Sequence, residues 1–373
     1  MKSICIIVFY FGKYPWYHNY FIDSCKRNQS IDFLFFTDNV SCEIQEENIK
    51  FIPFSIDNFN QLASIKLEFT VNVLSGLKIC DFRPAFGVIF NDFIKSYDYW
   101  GYSDTDIIYG NLRNFLDDDI LTYDYISVRD DYPSGYFSVF KNASKVNLLY
   151  TLSKDYKNLF LRDENTLFEE CGGAYSEVCN GVNILYSSCE YETFHHVLEK
   201  YKDNFKILLE LFSIGGNVGG IKVLNDKMVF MKKFEIMMYH LTSYKTNLFS
   251  IIPVKLIKPV FFINQYSFNK SKFNVSFIFS YLRRFYLFYI SKYISFSLNQ
   301  NLINNGAYIY MDEIINVKDN FFNFSNQETS SKIKKIPLSK LYIFDSLLIR
   351  KISHTKFEAF SSNGSKKIYN QFL

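Results

Sequence analysis

The chain has 373 residues, 48% of them apolar, and a formal net charge of +3; this excludes disorder of the whole chain and allows one large domain with an appendage, or two domains. The small net charge conceals an asymmetry: residues 251–373 hold 17 Lys/Arg against 6 Asp/Glu, which leaves 24 against 32 for residues 1–250. The seven cysteines are odd in number and show no Cys-x-x-Cys, which argues against a disulfide framework or a zinc site.

In chain order, Ser3–Tyr10 is a continuous β-prone run of the kind expected of a buried parallel strand, and it ends in the turn-rich Phe11-Gly12-Lys13-Tyr14-Pro15. A helix is expected over Asn19–Arg27, and strands over Ile31–Thr37 and Lys50–Ser55, an alternation that reads as an α/β sheet. Residues 81–97 give the strongest helical pattern. Asp81 suits the cap, Pro84 the first turn, and Phe86, Ile89, Phe90, Phe93, Ile94 and Tyr97 form one apolar stripe. A strand over Asp98–Ser103 then leads into Asp104-Thr105-Asp106, and Tyr123–Val128 with Tyr136–Lys141 reads as a hairpin. His195-His196 falls on an amphipathic helix and reads as structural. The composition changes near residue 250, so residues 1–250 are assigned to a catalytic domain and 251–373 to a basic, aromatic-rich extension. Residues 277–298 are long enough to span a bilayer, but three cations within them favour an interfacial or buried amphipathic helix. The basic tail region reads either as a partner for anionic lipid or polymer or as a solvated face, and no nucleic-acid partner is expected. The N-terminus lacks a signal-peptide pattern, which points to a cytoplasmic setting.

The chemistry concentrates in Tyr97–Gly110. An apolar strand delivers two carboxylates, Asp104 and Asp106, and residues two apart in extended backbone project to the same side. Ligands of open α/β sheets collect at the carboxyl ends of strands. Two hard oxygen ligands there suit Mn²⁺ or Mg²⁺. Asp117-Asp118-Asp119 sits in a polar turn with no strand feeding it and reads as a solvated loop or cap. A competing reading makes Asp104 the nucleophile and Asp106 the acid of an aspartate-dependent phosphatase, although that motif belongs on a first strand.

The chain resembles a family of bacterial glycosyltransferase-like proteins encoded with capsule and O-antigen genes, which have a GT-A type nucleotide-diphospho-sugar transferase fold. The segments that carry the resemblance are Phe9–Gly12, Phe35–Asp38, Leu77–Gly87, Tyr97–Arg113, Gly135–Asn142, Asp163-Glu164 and Tyr239–Leu241, over roughly residues 1–245. The resemblance implies a Rossmann-like mixed α/β sheet flanked by helices and a nucleotide-sugar donor, with a UDP-sugar favoured. Tyr10, Phe11 and Asp38 would bracket the base and ribose, while Lys78, Asp81 and Arg83 would face the ribose and diphosphate. For Lys78 and Arg83 the alternative is an exposed cation, and for Asp81 a helix cap. His240 would complete the metal site with Asp104 and Asp106, and Lys245 would reach the diphosphate; the usual basic run after the histidine is replaced by Thr242-Ser243-Tyr244. Asp163 and Glu164 are the acceptor-side carboxylates, either as catalytic base or as a surface pair. The acceptor would be a saccharide or a polyprenyl-linked precursor, with the C-terminal region holding the enzyme peripherally at the inner membrane face. A degenerate transferase fold serving as a polysaccharide-binding or assembly factor is the non-enzymatic alternative.

Overall fold

A computed structural model describes residues 1–39, 46–215, 219–246, 250, 253, 260–263 and 267–269, together with the backbone of strands between 307 and 370. The predicted helix over 277–298 lies outside the described residues. The chain divides into two compact units, one of residues 1–246 and 251–272 and the other of residues 247–250 and 273–373.

The first unit is built on a seven-stranded sheet. Its strands are β1 (Ile4–Tyr10), β2 (Asp32–Thr37), β3 (Ile49–Pro53), β4 (Tyr99–Ser103), β6 (Tyr125–Ser127), β7 (Phe137–Lys141) and β8 (Ile207–Leu209), while β5 (Ile107–Tyr109) belongs to a smaller sheet. The order is β3-β2-β1-β4-β7-β6-β8. β3, β2, β1 and β4 run parallel, β7 is antiparallel to both β4 and β6, and β8 is parallel to β6. This is the Rossmann-like mixed α/β sheet flanked by helices that the sequence implied, including the β6–β7 pair.

The continuous apolar run of β1 reflects burial on both faces. Cys5 and Ile7 enter one apolar cluster with Phe36, Trp100 and Phe140, while Ile4, Ile6 and Val8 enter another with Phe33, Phe35 and Val139. Alternate side chains point to opposite faces of a strand, so one segment serves both cores. The abundant aromatics fill this space: Phe9 lies within 5.3 Å, centroid to centroid, of Phe36, Phe86 and Phe90. Helix α1 (His18–Lys26) crosses from β1 to β2 and buries Phe21, Ile22 and Cys25. The six described cysteines are free thiols.

The expected helix over 81–97 is broken. A 3₁₀ stretch covers Lys78–Ala85, and two short α-helical turns, Phe86–Ile89 and Asn91–Ile94, meet at Phe90 with φ −100° and ψ 18°. Pro84 offers no N–H to an α-helical ladder, and Asp81 does not cap, because its carboxylate is used across the fold. The apolar stripe still packs inward at Phe86, Ile89, Phe90 and Ile94, but Phe93 stays 40% exposed.

After β8 the chain forms β9 (Ser213–Gly215), β10 (Ile221–Val223), β11 (Met228–Phe230), β12 (Phe234–Ile236), β13 (Met238–His240), β14 (Phe261–Ile263) and β15 (Phe268–Asn269). One small sheet has the order β5-β13-β9 and the other β12-β11-β10-β14-β15. The second unit holds two four-stranded antiparallel sheets, one between Ala307 and Pro337 and one between Leu341 and Asn370. No helix among the described residues is long and apolar enough to cross a membrane.

Candidate metal centre and adjoining cleft

β4 ends at Ser103, and Asp104-Thr105-Asp106 turns the chain directly into β5. The turn is pinned on one side by Asp104 N–H donating to the Tyr136 carbonyl at 2.9 Å, just before β7. On the other side β13 pairs antiparallel with β5, placing His240 opposite Ile107, and Leu241 N–H donates to the Asp106 carbonyl at 2.8 Å. Backbone pairing thus carries His240 to the carboxylates. One ligand atom from each of Asp104, Asp106 and His240 can be chosen so that all lie within 4.8 Å of one another.

Asp106 is the buried member, with its side chain 5% exposed, whereas that of Asp104 is 35% exposed. Asp106 Oδ2 lies 3.2 Å from His240 Nε2 and 2.7 Å from Lys245 Nζ, and it accepts from the Thr242 hydroxyl at 3.2 Å. The Tyr136 ring lies 4.1 Å from the His240 ring and fixes its plane. Burial alone would raise the Asp106 pKa; the hydrogen bond and charge of His240, with the Lys245 ammonium, outweigh it and hold the carboxyl well below the usual carboxylate range. Burial alone would likewise lower the Lys245 pKa, but Asp106 raises it, so both partners favour their charged forms. Two carboxylates and one imidazole form a donor set suited to a divalent metal ion, and Asp104, Asp106 and His240 would hold it.

Beside these residues is a cleft of ≈ 310 Å³ whose walls include Tyr10, Tyr17, Leu77, Arg83, Asp104 and Lys245. Arg83 is almost buried; it donates to the Asp104 carboxylate and the Gly135 carbonyl, and its guanidinium lies 5.2 Å from the Tyr102 ring centroid. Burial disfavours this cation, but Asp104 and its other neighbours more than compensate and raise its pKa well above the ordinary value. Asp38 accepts the Gly12 N–H at 2.7 Å, where Gly12 has φ +80°, and so braces the loop after β1. Phe11 packs against Phe9 and lies beside Gly76, which is itself in the cleft wall.

Of the predicted site residues, Phe11, Asp38, Lys78, Asp81, Asp163, Glu164 and His240 do not line this cleft. Lys78 and Asp81 are 1% and 0% exposed and form an interior ion pair at 2.8 Å. Lys78 Nζ also donates to the Leu159 and Glu164 carbonyls, while Asp81 accepts the N–H groups of Thr166 and Phe168. Their charges balance each other inside the protein, so the expected contact with ribose and diphosphate is replaced by a structural role. Asp163 and Glu164 are exposed and absent from the cleft lining; Glu164 lies 3.9 Å from Arg162. Asp117 caps the following turn by accepting the Ile120 N–H, and His195 is buried on a helix, both as expected.

The sequence reading missed Glu169 and Glu170. Glu169 Oε1 lies 4.0 Å from Arg83, and its Oε2 is buried without a partner among the described residues. Glu170 accepts the Gly135 N–H at 2.8 Å and the Tyr175 hydroxyl. Burial, followed by the charges of Glu170 and Asp81, pushes the Glu169 pKa well up, and burial raises that of Glu170. A Glu-Glu pair after an apolar residue carries no periodicity or motif that would have marked it.

Among solved structures the chain is similar to the apo-form glycosyltransferase GlyE of Streptococcus pneumoniae TIGR4, at 12% identity and a TM-score of 0.30, which carries no functional argument. The likeness covers 57% of this chain and 46% of that one, so it spans less than half of GlyE. No curated protein matches the chain. Residues 6–272 match the family described as "Family of unknown function (DUF6625)", and the chain belongs to that family.

Proposed function

We propose that the protein is a metal-dependent glycosyltransferase that takes a sugar from a nucleotide-sugar donor, with a UDP-sugar favoured. The observation that carries this reading is the convergence of Asp104, Asp106 and His240 beside a cleft that also presents Arg83 and Lys245. Three potential metal ligands and two cations around one cleft suit a leaving group that is a diphosphate. A bound Mn²⁺ or Mg²⁺ would neutralise charge that grows on that leaving group. Within this reading Arg83 and Lys245 bind diphosphate oxygens, Tyr10 and Tyr17 wall the nucleotide, and Asp38 holds the loop that Tyr10 begins. The acceptor is a surface polysaccharide of the capsule or O-antigen kind, or its polyprenyl-linked precursor. The excess of Lys/Arg in residues 251–373 supports a peripheral attachment to an anionic inner membrane face.

One observation favours a second reading, a degenerate site that binds saccharide only: in the structure Arg83 and Lys245 already neutralise the two carboxylates. Thermal unfolding against UDP-, GDP-, CMP- and dTDP-sugars, with and without Mn²⁺, separates the two. A ligand at 100 times its dissociation constant stabilises by about 2.7 kcal/mol. A Mn²⁺-dependent shift with one nucleotide sugar, lost in Asp106→Ala, is the expected result. Absence of any shift would remove the transferase reading.

A further inference from the structure

Each carboxylate of the proposed metal centre already holds a cation of this chain. Lys245 Nζ lies 2.7 Å from Asp106 Oδ2, and Arg83 donates to Asp104 Oδ1. A divalent ion at this cluster would draw on the same two carboxylates, and cations crowded onto one pair of carboxylates repel. Neither cation has a ready second carboxylate. Among the described residues Lys245 has no carboxylate other than Asp106 within 4.0 Å, and its ammonium lies 5.6 Å from the Tyr17 ring centroid. Arg83 has only Glu169, 4.0 Å away in a buried setting that favours its neutral acid. Both cations, however, line the cleft, where an anionic ligand would meet them.

We propose that Arg83 and Lys245 are exchangeable counter-ions, released from Asp104 and Asp106 when a divalent ion binds and taken over by the diphosphate of the donor. The inference rests on the transferase reading and adds a coupling to it. Metal alone must displace an ammonium and a guanidinium with no ligand anion to receive them, and diphosphate alone must compete with two carboxylates. Together the ligands satisfy all four groups, so each strengthens the other. By linkage the gain is reciprocal.

The test is calorimetric titration of Mn²⁺ into the full chain, without and with UDP, for wild type, Lys245→Gln and Arg83→Gln. In wild type UDP is expected to tighten Mn²⁺ binding by on the order of tenfold, a common size of coupling between sites. Lys245→Gln, at a partly exposed position, should bind Mn²⁺ alone more tightly than wild type by a similar factor and lose much of the UDP-dependent gain. A variant that is merely damaged binds metal more weakly, so a rise in affinity together with the loss of the UDP-dependent gain marks this mechanism. Arg83→Gln should behave likewise where it folds, and Lys245→Gln decides the matter where it does not. If wild type binds Mn²⁺ and UDP independently, or if Lys245→Gln binds Mn²⁺ no more tightly, the exchange is overturned and the transferase reading stands. If wild type binds neither, both are overturned.

Discussion

Asp81→Ala tests whether the interior ion pair holds the fold beneath the cleft. Asp81 is 0% exposed and accepts from Lys78 Nζ at 2.8 Å, from the N–H groups of Thr166 at 2.9 Å and Phe168 at 3.1 Å, and from the Thr166 hydroxyl at 2.9 Å. Truncation leaves a 1% exposed ammonium with only two carbonyl partners. Breaking a buried pair from one side costs about 3–5 kcal/mol. Each backbone donor left without an acceptor adds roughly 1–3 kcal/mol. The expected loss is therefore at least about 5 kcal/mol, comparable with the ~5–15 kcal/mol that holds a domain. Both tryptophans of the chain, Trp16 and Trp100, lie in the first unit, so their fluorescence in a urea titration follows that unit. The midpoint should fall sharply with the slope unchanged. A double replacement, Lys78→Met with Asp81→Leu, should recover much of the loss, because it removes the orphaned charge. A loss below about 1 kcal/mol in the single variant, or no recovery in the double, would refute the argument.

Two further outcomes concern the cores. His18 and His195 are buried, and burial lowers both pKa values to about 4, below the ordinary histidine value near 6.5. The unfolded chain therefore binds more protons between about pH 6.5 and 4, so stability should fall as pH drops through that window, by up to roughly 3 kcal/mol per histidine. Urea titrations at stepped pH should show this slope, and it should flatten in the His18→Gln, His195→Gln double variant; an unchanged slope would contradict the burial argument. In Gly101→Ala, in the middle of β4, the new Cβ would lie 2.5 Å from the Ser138 carbonyl and 2.9 Å from Ile6 Cδ1. Overpacking of that kind costs about 1–3 kcal/mol, and a tryptophan-monitored urea midpoint within error of wild type would count against so tight a β4–β7 contact.

The sheet was legible because its strands announce themselves. The β-prone runs at residues 3–10 and 31–37 need no distant partner to be recognised, and the carboxylates of Asp104 and Asp106 stand where such a strand ends. The stripe Phe86, Ile89, Phe90, Phe93, Ile94 and Tyr97 predicts one helix, but short 3₁₀ and α turns replace it, burying Phe86, Ile89, Phe90 and Ile94 and leaving Phe93 exposed. Lys78 and Asp81 were misplaced for another reason. Their common partner is the loop Glu164–Phe168, more than 80 residues on, and local sequence gives no sign of that contact. His240 came from the resemblance alone; what brings it to Asp106 is the β5–β13 register. Glu169 and Glu170 gave no signal because their significance lies in being buried beside Arg83 and Gly135.

The β5–β13 pairing has a consequence for how the protein is made. The contact between Thr242 and Asp106 joins residues 136 positions apart. At a synthesis rate of about 5–20 residues per second, roughly 7–27 s separate the emergence of the aspartates from that of the strand bearing His240. During that interval β5 has no β13 to pair with, and the carboxylates stand without their imidazole. The nascent chain therefore has its parallel strands early and brings its Asp-Asp-His cluster together only after β13 has emerged to pair with β5.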